Sequence, residues 1–142
     1  MRLLFVCSGN TCRSPMAAAY CTKLLQQQQR SDWEALSAGI CAFAGDTMSF
    51  QAQQVLAELG IDGSNFRSRR FTYQLAQECD LIFAMGSSHL AAMQQCAPEC
   101  AAKMYKLLGD DDVPDPFGAD VATYRATLAK MIPAIRQIVG KL

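Results

Sequence analysis

Short apolar runs alternate with longer amphipathic stretches along this chain. RLLFVC at 2–7, WEALSAG at 33–39, DLIFAM at 80–85 and KMYKLL at 103–108 predict four strands. Their apolar residues run nearly without a break, the pattern of strands covered on both faces. PMAAAYCTKLLQQQQ at 15–29 has helical density, with Ser14-Pro15 as its start. TMSFQAQQVLAEL at 47–59 predicts a second helix, which Gly60 would end. Short helices are expected at 72–78 and 87–97. A last one at 120–139 carries Val121, Tyr124, Leu128, Ile132, Ile135 and Val139 on one face. The breaker-rich segments NFRSRRFT at 65–72 and GDDDVPDPFGAD at 109–120 read as loops. The alternation predicts one α/β domain over 1–142, a three-layer sandwich whose four-stranded parallel sheet is flanked by helices on both faces. Ligands of such folds bind beyond the carboxyl ends of the strands.

Composition narrows the class. A chain of 142 residues with 51% hydrophobic and 18% charged residues can bury a full core. Thirteen basic residues balance thirteen acidic ones, which argues against nucleic-acid and membrane-surface partners. No apolar run approaches the roughly 18 residues of a membrane span. The opening LLFV is too short for a secretory signal, so a cytoplasmic protein is expected. The seven cysteines are odd in number and lack an export signal, which predicts free thiols. Cys21, Cys79, Cys96 and Cys100 read as small buried hydrophobes. No second cysteine pair or histidine cluster joins Cys96 and Cys100, so no metal site is expected.

Candidate chemistry lies in FVCSGNTCRSP at 5–15. Cys7 ends the first strand, and Ser8, Gly9, Asn10, Thr11, Cys12, Arg13 and Ser14 lead into the first helix. Backbone N–H groups at a helix start bind oxyanions, and the Arg13 fork suits two phosphate oxygens. A phosphate held there would sit over Cys7, whose thiolate the same positive field favours. In-line attack would form a thiophosphate. Ser14 can hydrogen-bond the sulfur, and Asn10 can hold the turn. The loop has no GxxxxGK[ST] and so is no nucleotide-binding P-loop. A bare C-x5-R is common in unrelated chains, where it marks only a turn. C-x5-R-S between an apolar strand and a proline-started helix is much rarer. The leaving group needs a proton, and Asp115, fixed between two prolines beside Phe117, is the candidate donor. Asp110, Asp111 and Asp112 read as a solvated acidic turn.

With these residues the chain resembles the low-molecular-weight protein-tyrosine-phosphatase family over essentially its whole length. VCSGNTCRSPMA looks like the family's signature loop, SAG at 37–39 like the segment after its second strand, and DPFG like its acid motif. The resemblance implies a two-step hydrolysis without a metal or other cofactor. Cys7 attacks, Arg13 binds the phosphoryl oxygens, and Asp115 protonates the leaving group and then activates water. It also implies a phosphorylated protein as substrate, and reversible inactivation in which Cys12 traps an oxidised Cys7. The chain departs from the family where relatives often carry a histidine in a network with residues matching Asn10, Ser14 and Ser37. That place aligns with Phe66, and the only histidine, His89, reads as a helix-surface residue.

The resemblance implies phosphotyrosine as substrate and leaves phosphoarginine as the alternative. The place of Thr11 is often a bulky aliphatic in the tyrosine-directed branch and typically threonine in relatives acting on phosphoarginine. A polar wall there admits a planar guanidinium, with Asp115 as partner for its N–H groups. A phenyl ring asks for apolar walls such as Phe117 and Phe43, although a guanidinium also stacks on Phe117. Thiol-dependent arsenate reductase is the remaining alternative, weakened by the lack of a matching motif around Cys79, Cys96 and Cys100. The basic run Arg67, Arg69 and Arg70 reads as a solvated loop or as a steering patch for acidic substrates.

Overall fold

The computed structural model describes residues 1–142. Its strands are β1 (Arg2–Cys7), β2 (Glu34–Gly39), β3 (Leu81–Ala84) and β4 (Met104–Lys106). Its helices are α1 (Arg13–Gln27), α2 (Phe50–Glu58), α3 (Tyr73–Glu78), α4 (Ser87–Cys96) and α5 (Val121–Gly140), with a 3₁₀ helix at Pro98–Lys103. All strand pairs are parallel, in the order β2-β1-β3-β4. The expected α/β sheet of four parallel strands is therefore present.

Strand alternation divides the core between the two faces. Leu3, Phe5 and Cys7 of β1 face α1, α2 and α5, where they meet Met16, Leu56, Tyr124, Leu128 and Ile135. Leu4 and Val6 face the other side, where Leu75, Ala76, Met93 and Ala97 cover them. These are the three layers. The apolar face of α5 is as expected, with Tyr124, Leu128, Ile135 and Val139 buried.

Boundaries moved where side chains cap or break the helices. Ser49, Thr72 and Asp120 accept from the N–H groups of Ala52, Leu75 and Thr123, which starts α2, α3 and α5. Helix α1 starts at Arg13, before Pro15, which its first turn tolerates. Pro98 opens the 3₁₀ turn, which takes Lys103 out of the predicted fourth strand. Cys96 corrects its reading as buried. The inward stripe of α4 is His89 and Met93, continued by Ala97 just past its end, and Cys96 falls on the exposed side. Cys21, Cys79 and Cys100 are buried as expected. Burial pushes the Cys21 thiol up to about 12 and the Cys79 thiol up to about 11, so both stay protonated and inert.

The chain crosses from β2 past β1 to reach β3, so the strand order reverses at β1. The loop leaving β1 lies at that switch point. Gly39, paired with Cys7 across the sheet, lets this loop approach. A Cβ there would lie 2.6 Å from the Ser8 carbonyl oxygen and 2.9 Å from the Asn10 nitrogen, both backbone atoms. Gly39→Ala is expected to destabilise the fold by about 1–3 kcal/mol through this overlap. Urea unfolding checks it, and an unchanged midpoint would mean that the loop yields.

Candidate active site

The β1–α1 loop is held by its own polar side chains. Asn10 takes the left-handed conformation, φ 56°, and is completely buried. Its Nδ2 donates to Ser14 Oγ at 2.9 Å, and its Oδ1 accepts from the Arg69 N–H at 2.9 Å. Ser68 Oγ donates to its carbonyl at 2.8 Å. Ser14 Oγ lies 2.9 Å from Cys7 Sγ and 3.3 Å from the Ala38 carbonyl oxygen. When Cys7 is a thiol it can donate to Ser14 Oγ, whose own O–H donates to the Ala38 carbonyl. When Cys7 is a thiolate, Ser14 can turn and donate to the sulfur.

Of the ten residues singled out from sequence, all but Asn10 and Ser14 line one cavity of about 160 Å³. Asn10 and Ser14 lie behind it as supports. Cys7 is 2% exposed, and Phe117 is 78% exposed. No side chain caps the start of α1, so its first N–H groups face the loop without a built-in acceptor. Arg13 is buried and donates through Nη1 to the Val113 carbonyl at 3.1 Å. Its Nη2 lies 3.7 Å from Asp115 Oδ2. Asp115 Oδ1 accepts from the Phe117 N–H at 3.1 Å, which turns the DPFG segment back on itself. The arrangement can hold a tetrahedral oxyanion between Arg13 and the helix start, over the sulfur, with a carboxyl group on the open side. Phe43, considered as an apolar wall, is exposed and does not line the cavity.

A family model described as low molecular weight phosphotyrosine protein phosphatase matches residues 2–142. The chain belongs to the low-molecular-weight protein-tyrosine-phosphatase family. It is an enzyme of the phosphatase type that the family comprises. It is 37% identical to a protein-arginine-phosphatase of Geobacillus stearothermophilus, with 99% of this chain and 95% of that one covered. It is 32% identical to a probable low molecular weight protein-tyrosine-phosphatase, EpsP, of Ralstonia solanacearum, covering 96% and 97%. The solved low molecular weight protein tyrosine phosphatase of T. tengcongensis superposes with a TM-score of 0.94 at 37% identity, over 100% of this chain and 99% of that one.

Within this family frame, several residues that support the site were missed or misread in the sequence. Asp112, though exposed, is more than part of an acidic turn. Its Oδ1 accepts from the Ser87 N–H at 3.0 Å and pairs with Lys106 Nζ at 2.8 Å. Lys106, then the Ser87 amide, hold its carboxyl below the ordinary 3.8, so the tie persists in mild acid. Next to it the Val113 N–H donates to the Met85 carbonyl at 2.7 Å. The loop bearing Asp115 is thus pinned to the segment just after β3, to β4 and to α4. His89, expected on the helix surface, is 7% exposed, and its Nε2 lies 2.8 Å from Ser8 Oγ. It faces inward because it shares a stripe with Met93 and Ala97. Burial first, then the Arg13 charge, push its pKa below the ordinary 6.5, against Asp112 and Asp115.

Tyr124 is buried, and its hydroxyl is 3.2 Å from Cys12 Sγ. Burial, then the Cys12 contact, push that phenol up. Cys7 and Cys12 are both free thiols. Phe66 packs against the core, and the Asn10 network closes on Ser68 and Arg69. Only the spacing 89-93-97 could have marked His89 as inward-facing. Nothing local marks Asp112 or Ser68, and the apolar face of α5 marks Tyr124 only as core.

Asp112→Ala removes the side-chain ties of the Asp115 loop and leaves Asp115 itself intact. The expected result is faster amide exchange at Ser87 and a kcat lower by about tenfold, a small part of what a lost proton donor costs. Equal exchange rates in variant and parent would show that Val113 alone holds the loop.

Proposed function

We propose that this enzyme is a cysteine-dependent protein-arginine phosphatase. The observation that carries the reading is the wall of the cavity. Thr11 stands where an apolar wall would be needed to grip a phenyl ring, and Phe117 is the single aromatic residue lining the cavity. The Thr11 hydroxyl is committed only to a long 3.6 Å contact with Cys12 Sγ, so it can still accept from a guanidinium N–H. Asp115, 58% exposed at the side chain, offers a carboxyl group whose carbonyl oxygen can accept from another N–H while its O–H faces the leaving nitrogen. Phe117 can stack on the guanidinium plane. The arginine-phosphatase name of one relative supports the same reading, while the tyrosine-phosphatase name of the other supports phosphotyrosine, the second reading.

In the first step the Cys7 thiolate attacks phosphorus in line. The P–S bond forms as the P–N bond breaks, and protonated Asp115 gives its proton to the departing nitrogen. Arg13 and the start of α1 hold the three equatorial oxygens, where charge gathers in the transition state. In the second step Asp115 takes a proton from water, whose oxygen attacks the phosphocysteine. Inorganic phosphate leaves, and Ser14 donates a hydrogen bond to the departing thiolate. Arsenate reduction would need, beyond Cys12 in the loop itself, resolving thiols around β3 and α4 that reach Cys7. Cys79 and Cys100 are buried in the core of the opposite layer, and Cys96 is exposed at the far end of α4.

The test is hydrolysis of matched phosphoarginine and phosphotyrosine peptides by the parent enzyme, Thr11→Ile and Cys7→Ser. The expected parent prefers phosphoarginine, and Thr11→Ile loses that preference by about tenfold or more, the effect of one or two contacts to a charged group. Cys7→Ser abolishes turnover of both. A parent that prefers phosphotyrosine would reduce Thr11 to a turn residue, and activity surviving in Cys7→Ser would sink the mechanism.

A further inference from the structure

One buried side-chain polar atom in this protein has no hydrogen-bond partner, Nδ1 of His89. Such an atom calls for a reason, because a buried polar group without a partner is costly. The other ring nitrogen of His89 faces Ser8 Oγ at 2.8 Å, and Ser8 lines the cavity over Cys7. The ring thus stands one residue behind the cavity, reaching it from α4, far away in the chain.

We propose that His89 is a positioning residue, which holds the Ser8 hydroxyl with its proton turned into the cavity as a donor to a phosphoryl oxygen. A neutral imidazole has one N–H, and the two tautomers act oppositely on Ser8. With the proton on Nε2, His89 donates to Ser8 Oγ, and the serine proton is free for an anion. With the proton on Nδ1, Nε2 takes the serine proton, and Ser8 shows only lone pairs to the cavity. Those would repel a phosphate. The unpartnered Nδ1 decides between them. Buried N–H groups without acceptors are rarer than under-satisfied acceptors, so Nδ1 is the bare nitrogen. The doubly protonated ring has the same orphaned N–H and adds a buried charge. Arg13 opposes that charge, and the carboxylates of Asp112 and Asp115 favour it. Both carboxylates belong to exposed side chains, where solvent weakens their effect.

The inference rests on the cavity being an oxyanion site, whichever residue carries the phosphoryl group, so inorganic phosphate is the probe. His89 is the only histidine in the chain, so ¹⁵N NMR of the histidine-labelled parent reads a single ring. The expected spectrum at neutral pH has the proton on Nε2 and a bare Nδ1, and the Nε2 signal moves when phosphate is added. A proton on Nδ1 would overturn the inference with no variant needed. The second arm is inhibition of aryl phosphate hydrolysis by phosphate. His89→Leu should weaken inhibition about fivefold, the size of one net hydrogen bond. His89→Gln, whose amide can donate in place of Nε2, should restore most of it. In a Ser8→Ala background His89→Leu should add nothing. An equal loss in that background, or a Gln variant no better than Leu, would mean that His89 only fills space. If the Leu variant fails to fold, the tautomer decides alone. A parent that hydrolyses no aryl phosphate would overturn the phosphatase reading and this one with it, whereas the wrong tautomer, or turnover that phosphate does not inhibit, overturns only this one.

Discussion

The left-handed turn at Asn10 is the constraint on which the site depends. A non-glycine residue in that conformation costs about 1–3 kcal/mol. Three hydrogen bonds offset it, to Ser14, Ser68 and Arg69, each worth about 0.5–1.5 kcal/mol net. Their sum, about 1.5–4.5 kcal/mol, is of the same size as the strain, so the turn is held by the protein's own bonds. A glycine would remove the strain, but it would also remove the side chain that ties the loop to Ser14 and thereby to Cys7. The asparagine is needed for its amide as well as for its tolerance of the turn.

Such a loop has to be fixed from outside, and the anchors come from every side of the sheet edge. Gly39 leaves room beneath Ser8 and Asn10. Ser68 and Arg69 grip it from the loop before α3, His89 from α4, Val113 through Arg13, and Tyr124 from α5. A switch point permits this convergence, because the connections after β1 and β3 leave toward opposite faces and open a crevice between them. The 3.8 Å reach of a single residue could not place a serine, an arginine and a carboxylate around one sulfur. The fold supplies that reach.

The legible part of the chain was what short-range physics determines. Four apolar runs became four parallel strands, and the face of α5 was readable residue by residue. The loop residues from Cys7 to Ser14 could be named because they are contiguous, and Asp115 because two prolines set it apart. The support residues could not. His89 and Ser8 are 81 residues apart, Cys12 and Tyr124 are 112 apart, and Ser87 and Asp112 are 25 apart. Each has a bland local reading, as surface histidine, core aromatic or acidic turn, and only the packed chain distinguishes the two. Cys96 went wrong for a related reason. A helix of ten residues has room for one narrow inward stripe, and composition does not say which residues lie on it.

Arg13 shows why such a site attracts anions. Its guanidinium is buried, and burying a charge is costly unless it is paired and hydrogen-bonded. The pairing here is incomplete. One nitrogen donates to the Val113 carbonyl, and the nearest carboxylate oxygen is 3.7 Å away on an exposed side chain. A fully paired arginine would make a more stable resting protein and a poorer anion site, because an entering phosphate would first have to displace its partner. The same reasoning covers Asp115. Held at a distance by its own turn with Phe117, it stays near the cavity without closing on Arg13. The loop keeps one positive charge short of partners, and in the proposed mechanism the phosphoryl group completes the set.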